Sequence, residues 1–155
     1  MSTAIRDRAP AVPSAPERTE RRPVMLISFD ISFDEELAQS AVEAALQANS
    51  ELIICLANTL PTANANAAAR RSMGNPVVRE QMQRLRNEAR NAGADAKVVI
   101  YNSPRPVQAL YGVAESHGIG LIVFGPDRRR YGRLRFRWHL RRIKRNTSCL
   151  VLPLE

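Results

Sequence analysis

Residues 128–145 hold nine arginines and one lysine, with no acid among them. Guanidinium groups grip carboxylates and phosphates through paired hydrogen bonds, so a segment of this kind is suited to binding anions. The formal net charge of the 155-residue chain is +8, which leaves −2 for everything outside this segment. Arg133, Arg137, Arg141 and Arg145 recur at four-residue steps, and this spacing places them in one stripe on the side of a helix. Together with Arg130 they form a candidate anion or partner surface. Three readings stay open. The stripe is a solvated face paired with acids elsewhere, or it meets an anionic partner (acidic protein, lipid headgroup or polyphosphate), or it binds nucleic acid. The last reading is not favoured; such binding would run through the phosphate backbone and weaken with salt. Arg128, Arg129 and Arg130 offer a side-chain grip on phosphate.

Other chemistry-bearing residues are sparse. Asp30 ends the apolar run Val24-Met25-Leu26-Ile27-Ser28-Phe29. It either caps the next helix beside Ser32 or supplies a ligand carboxylate. Gly125 follows Leu121-Ile122-Val123-Phe124 and precedes the basic segment. A strand, a glycine and a helix in that order can point amide groups at an anion, although Gly125 also suits a tight turn. His117 and His139 form no catalytic pair and read as packing residues, and Trp138 reads as a core or interface residue. No serine sits in a nucleophile-elbow motif, and no metal-ligand spacing occurs. Cys55 and Cys149 lie in separate apolar runs and are expected to be reduced thiols of a cytoplasmic protein.

The elements that must position these residues follow from apolar periodicity. Strands are expected at 24–29, 52–57, 96–101, 121–124 and 149–152, the first two being continuously apolar as in a sheet covered on both faces. A helix after Ser32 carries Leu37, Ala41, Ala45 and Ala48, with Ala38, Val42 and Leu46 beside them. A second, opened by Asn75-Pro76, carries Val78, Met82, Leu85, Ala89 and Ala92 before Gly93. A third carries Val107, Leu110, Tyr111 and Ala114 and closes at His117-Gly118. The basic helix turns Phe136, Leu140 and Ile143 inward. Strict alternation of strand and helix predicts an α/β fold with a parallel sheet, helices on both faces and right-handed crossovers. Ligands in such sheets sit at the carboxyl ends of the strands, here Asp30, Ala57-Asn58, Tyr101-Asn102 and Gly125.

Residues 1–22 are rich in arginine and proline and poor in large apolar groups, which predicts a flexible tail before one domain at 23–155. The 58–74 connection is rich in Ala and Asn and reads as a functional or mobile loop. No apolar run reaches the length of a membrane span, and the N-terminus lacks the apolar core of a secretory signal. With only eight aromatic residues, the chain is poorly supplied for stacking single-stranded nucleic acid.

Strand one ending in Asp30, the long loop after strand two, Gly120-Leu121-Ile122-Val123-Phe124-Gly125 and the terminal Cys149-Leu150-Val151-Leu152 together resemble the universal stress protein domain over about residues 23 to 154. The resemblance implies a five-stranded parallel sheet of order 3-2-1-4-5 and a homodimer through the last strand. It also implies, for many members, an ATP or AMP site at Asp30, Ala57 and the loop after strand four. Nucleotide-binding members carry Gly-x2-Gly-x9-Gly-Ser/Thr there. Gly125 matches the first glycine, but Arg128 stands at the second. Trp138 (or Arg137, counted from the last strand) stands at the third, and His139 or Trp138 at the hydroxyl. The expectation is therefore a non-enzymatic stress-response regulator with the usual ATP loop lost and no cofactor, acting through the basic surface. The alternative is an ATP or AMP sensor using Asp30, Ala57, Gly125, Arg128 and Arg129.

Overall fold

The computed structural model describes residues 21–60 and 75–154. The expected tail and most of the expected 58–74 loop lie outside the described residues. Five strands, β1 (Val24–Phe29), β2 (Leu52–Thr59), β3 (Ala96–Ser103), β4 (Leu121–Phe124) and β5 (Leu150–Leu152), form one parallel sheet in the order β3-β2-β1-β4-β5. Between them run α1 (Glu35–Ala48), α2 (Pro76–Asn91), α3 (Pro106–Ser116), the single turn α4 (Arg128–Tyr131) and α5 (Arg133–Asn146). Right-handed crossovers put α1 and α2 on one face. The chain then doubles back across β1 to β4, which puts α3 and α5 on the other. The order reverses between β1 and β4, so the site-forming crevice opens above that pair.

All six residues of β1 are buried, which accounts for its unbroken apolar run. Each large side chain sequestered there contributes about 1.5–3 kcal/mol relative to exposure. β2 continues two residues past the expected end, pairing Asn58 with Asn102 and Thr59 with Ser103. The expected inward faces hold for Val78, Met82, Leu85 and Ala89 on α2 and for Phe136, Leu140 and Ile143 on α5. Leu46 and Ala48 in the last turn of α1 are exposed, as is Ala92 at the C-cap of α2.

Asp34 caps α1: its carboxylate accepts from the Glu36 and Leu37 amides at 2.9 and 3.1 Å. The β1–α1 connection is clamped from both sides. Gln81 of α2 accepts from the Phe33 amide at 2.7 Å and donates to the Phe33 carbonyl at 2.9 Å. On the other side Phe33 bridges antiparallel to Pro126, just after β4.

Candidate functional site

Asp30 leaves β1 with φ of 67°, a left-handed conformation that a short polar side chain tolerates. Its amide donates to the Ala57 carbonyl at 3.0 Å. Its carboxylate accepts from the Thr59 amide at 2.6 Å and the Thr59 hydroxyl at 2.8 Å. Asp30 therefore staples the ends of β1 and β2 together and caps no helix. It also lies in the wall of a cleft of about 380 Å³, shared with Phe29, Thr59, Arg105, Tyr131, Arg135, His139 and Arg142.

The far wall comes from one side of α5. Arg135, His139 and Arg142 are spaced at four and then three residues, so they project toward the same neighbour. The Arg135 guanidinium lies over the Tyr131 ring, 4.2 Å from its centroid. The Tyr131 hydroxyl meets His139 Nδ1, and the imidazole stands edge-on to Phe29. Burial pushes His139 down to about 4, with help from the positive charge of Arg135 and Arg142. Burial likewise pushes the Tyr131 phenol up. At neutral pH the pair is uncharged, joined by one hydrogen bond between the Tyr131 hydroxyl and His139 Nδ1. The cleft thus combines three guanidinium groups with a carboxylate that already accepts two hydrogen bonds and a neutral phenol–imidazole pair. That set favours holding an anion over withdrawing a proton.

The turn after β4 is occupied by its own scaffold. The Gly125 amide donates to Ile27 at 2.8 Å, Pro126 has no amide hydrogen, and the Asp127 amide donates to Ser32 at 2.9 Å. The Arg129 amide bonds the Asp127 carboxylate, while those of Arg130 and Tyr131 bond the Asp127 carbonyl. Gly125 itself is buried. A Cβ there would lie 2.7 Å from Leu26 Cδ1 and 3.5 Å from Leu37 Cβ, so glycine leaves room for the Leu26 side chain of β1.

Of the residues expected to share a nucleotide site, only Asp30 lines the cleft. Ala57 is fully buried in β2 and offers its carbonyl to Asp30. Arg128 and Arg129 line a different hollow with Arg133, Phe136 and Arg137, where Arg128 covers the Phe136 ring at 5.3 Å. Neither arginine lines the Asp30 cleft. The cleft residues that the sequence reading passed over are Thr59, Arg105, Tyr131, Arg135 and Arg142. The spacing of Arg135, His139 and Arg142 was the available signal, overshadowed by the longer stripe.

That stripe faces outward. Arg133, Arg137, Arg141 and Arg145 are all exposed. Among the described residues none of them forms an ion pair, whereas Arg84 pairs with Glu35 and Glu88, and Lys97 with Glu51. Leu134 is 79% and Trp138 58% exposed, so Trp138 is no core residue. Cys55 is buried in β2, its thiol pushed up to about 12, and two strands separate it from free Cys149 beside β5.

Among the described residues no helix is long and apolar enough to cross a membrane, and no group of three or more His, Cys, Asp or Glu side chains could hold a metal ion. No protein-family model and no curated protein sequence matches the chain. Solved structures do. A universal stress family protein from Burkholderia pseudomallei superposes with a TM-score of 0.64 at 15% identity, over 86% of this chain and 96% of that one. A universal stress protein from Lactobacillus plantarum gives 0.63 at 14% identity, over 85% and 97%. One from Archaeoglobus fulgidus, in complex with dAMP, gives 0.55 at 15% identity, over 84% and 94%. With the 3-2-1-4-5 parallel sheet, these likenesses establish that the fold of this chain is that of the universal stress proteins.

Proposed function

We propose that this protein is a non-enzymatic, cytoplasmic regulator of the universal stress type that works without a main-chain triphosphate grip. One observation carries the reading: the amides of Gly125, Asp127, Arg129, Arg130 and Tyr131, in the turn that would cradle phosphates, are bonded to Ile27, Ser32 and Asp127 instead. The exposed basic face of α5 is its working surface toward an anionic partner. It acts as a homodimer through the last strand, a reading supported by β5 lying at the sheet edge with Leu150 60% exposed.

A second reading has its own support. The Asp30 cleft, ringed by Arg105, Arg135 and Arg142, is suited to a small anionic ligand such as AMP, and a protein of this fold has been solved with dAMP. In this version guanidinium forks replace main-chain amides, at positions other than Arg128 and Arg129.

Thermal shift with AMP and ATP at millimolar concentration tests both, since a ligand of the native state raises stability by RT ln(1 + [L]/Kd). The expected result is no advantage of ATP over AMP. Binding of ATP tenfold or more tighter than AMP, on the order of 1.4 kcal/mol, would refute the loss of the triphosphate grip. A shift with AMP that disappears in Arg135→Gln/Arg142→Gln supports the sensor; no shift with either nucleotide removes it.

A further inference from the structure

The outer crest of α5 is not simply cationic. At 100° per residue, Leu134 and Trp138 lie roughly opposite the inward line of Phe136, Leu140 and Ile143. They are adjacent on successive turns, and both are exposed. Arg137 and Arg141 lie beside them, and with Arg135 these residues line one shallow hollow. Arg145 continues the crest one turn further on, and Arg142 lies over the indole at 5.3 Å from its centroid. No acid interrupts residues 128–145.

We propose that this crest docks flat on an anionic lipid surface, with Leu134 and Trp138 at the acyl boundary and the flanking arginines on headgroup phosphates. This names the anionic partner in the reading of α5 as working surface and rests on that reading; Arg135 and Arg142 also reach the Asp30 cleft, whereas Leu134, Arg137, Trp138 and Arg141 do not line it. Charge complementarity demands an anion, and the apolar crest decides which kind. Nucleic acid presents phosphates to a cationic helix but has no apolar layer to receive Leu134, and one exposed indole cannot stack a series of bases. A bilayer interface supplies phosphates and an apolar layer within a few ångströms, and long arginine stems reach outward while the apolar pair sinks. Two exposed apolar side chains anchor weakly by themselves, so the arginines are needed as the second signal. Attachment is therefore reversible and salt-sensitive.

Trp138 is the only tryptophan in the chain and reports directly on the event. The full-length protein is mixed with vesicles of phosphatidylcholine alone, or of equimolar phosphatidylcholine and phosphatidylglycerol. The expected result on the anionic vesicles is co-sedimentation, a blue-shifted indole emission and quenching by brominated acyl chains. All three are absent on the neutral vesicles and reversed by high salt. Arg137→Gln/Arg141→Gln should weaken partitioning at least tenfold, taking roughly fivefold per arginine. Leu134→Gln should reduce the quenching, and far-UV circular dichroism verifies that these surface variants stay folded. Three outcomes overturn the proposal: co-sedimentation with no blue shift, binding undiminished in the arginine variant, or tighter binding to duplex DNA at equal phosphate concentration. Only the last would leave α5 standing as a working surface with a different partner.

Discussion

Gly125→Ala separates a packing glycine from a phosphate-binding one. The added methyl would sit 2.7 Å from Leu26 Cδ1, well inside contact distance, and 3.5 Å from Leu37 Cβ, an ordinary contact. The whole clash therefore falls on Leu26. That side chain is only 1% exposed, so its terminal methyl must be accommodated within the core. Shifting the turn instead would pull on the Gly125 amide's bond to Ile27 and on the bond its carbonyl accepts from Asp34. Overpacking of this kind costs about 1–3 kcal/mol. Urea unfolding should register that loss, with a fall in Tm of several degrees for a chain of this size. Adding Leu26→Val removes the clashing methyl and should recover part of the stability, so the two substitutions couple in a double-mutant cycle. A Gly125→Ala protein within about 0.5 kcal/mol of wild type would refute the packing argument. Loss of nucleotide binding at unchanged stability would do so more pointedly, because it would return Gly125 to the phosphate-binding role.

Other perturbations probe the clamp on β1 and the cleft wall. Gln81→Ala leaves both backbone groups of buried Phe33 without their side-chain partner and should cost about 1–3 kcal/mol by urea unfolding. Arg84→Gln should cost under about 1 kcal/mol, since the Arg84–Glu35 pair is half exposed; equal losses would contradict this division. The Arg84 hydrogen bond, then that of Gln81, holds the Glu35 carboxyl below its usual value, so its small contribution is present at neutral pH and fades in acid as Glu35 protonates. His139 runs in the same pH direction for the opposite reason. Its folded value of about 4 lies below the ordinary 6.5, so the unfolded chain takes up the proton first and stability falls as pH drops between those values. An NMR titration of the imidazole should find its midpoint near 4, and His139→Gln should flatten that part of the pH–stability profile. A midpoint above 6 would mean that the ring is not desolvated against Phe29 and Tyr131.

Much of the architecture was legible in the amino-acid sequence because the information is local. Continuous apolar runs mark strands covered on both faces, and Val78, Met82, Leu85 and Ala89 mark a helix by period alone. Five strands alternating with helices and joined by right-handed crossovers leave few topologies, and the observed order is the one expected from the family resemblance. The excess of positive charge on α5 and its inward line of Phe136, Leu140 and Ile143 were equally readable.

What the sequence left undecided was which of the many arginines stand beside Asp30. That depends on the rotational phase of α5 about its axis, fixed by Gly132 at φ of 95° after the α4 turn and by Phe136 packing on Phe124. This phase carries Arg135, His139 and Arg142 to the cleft, leaves Arg128 and Arg129 in another hollow, and turns Leu134 and Trp138 to solvent. The role of Gly125 was hidden for a similar reason: its obstructing neighbours, Leu26 and Leu37, belong to β1 and α1. Periodicity tells a residue which side of its own element it occupies, whereas a site is made by elements distant in sequence meeting at angles that only the packed core sets.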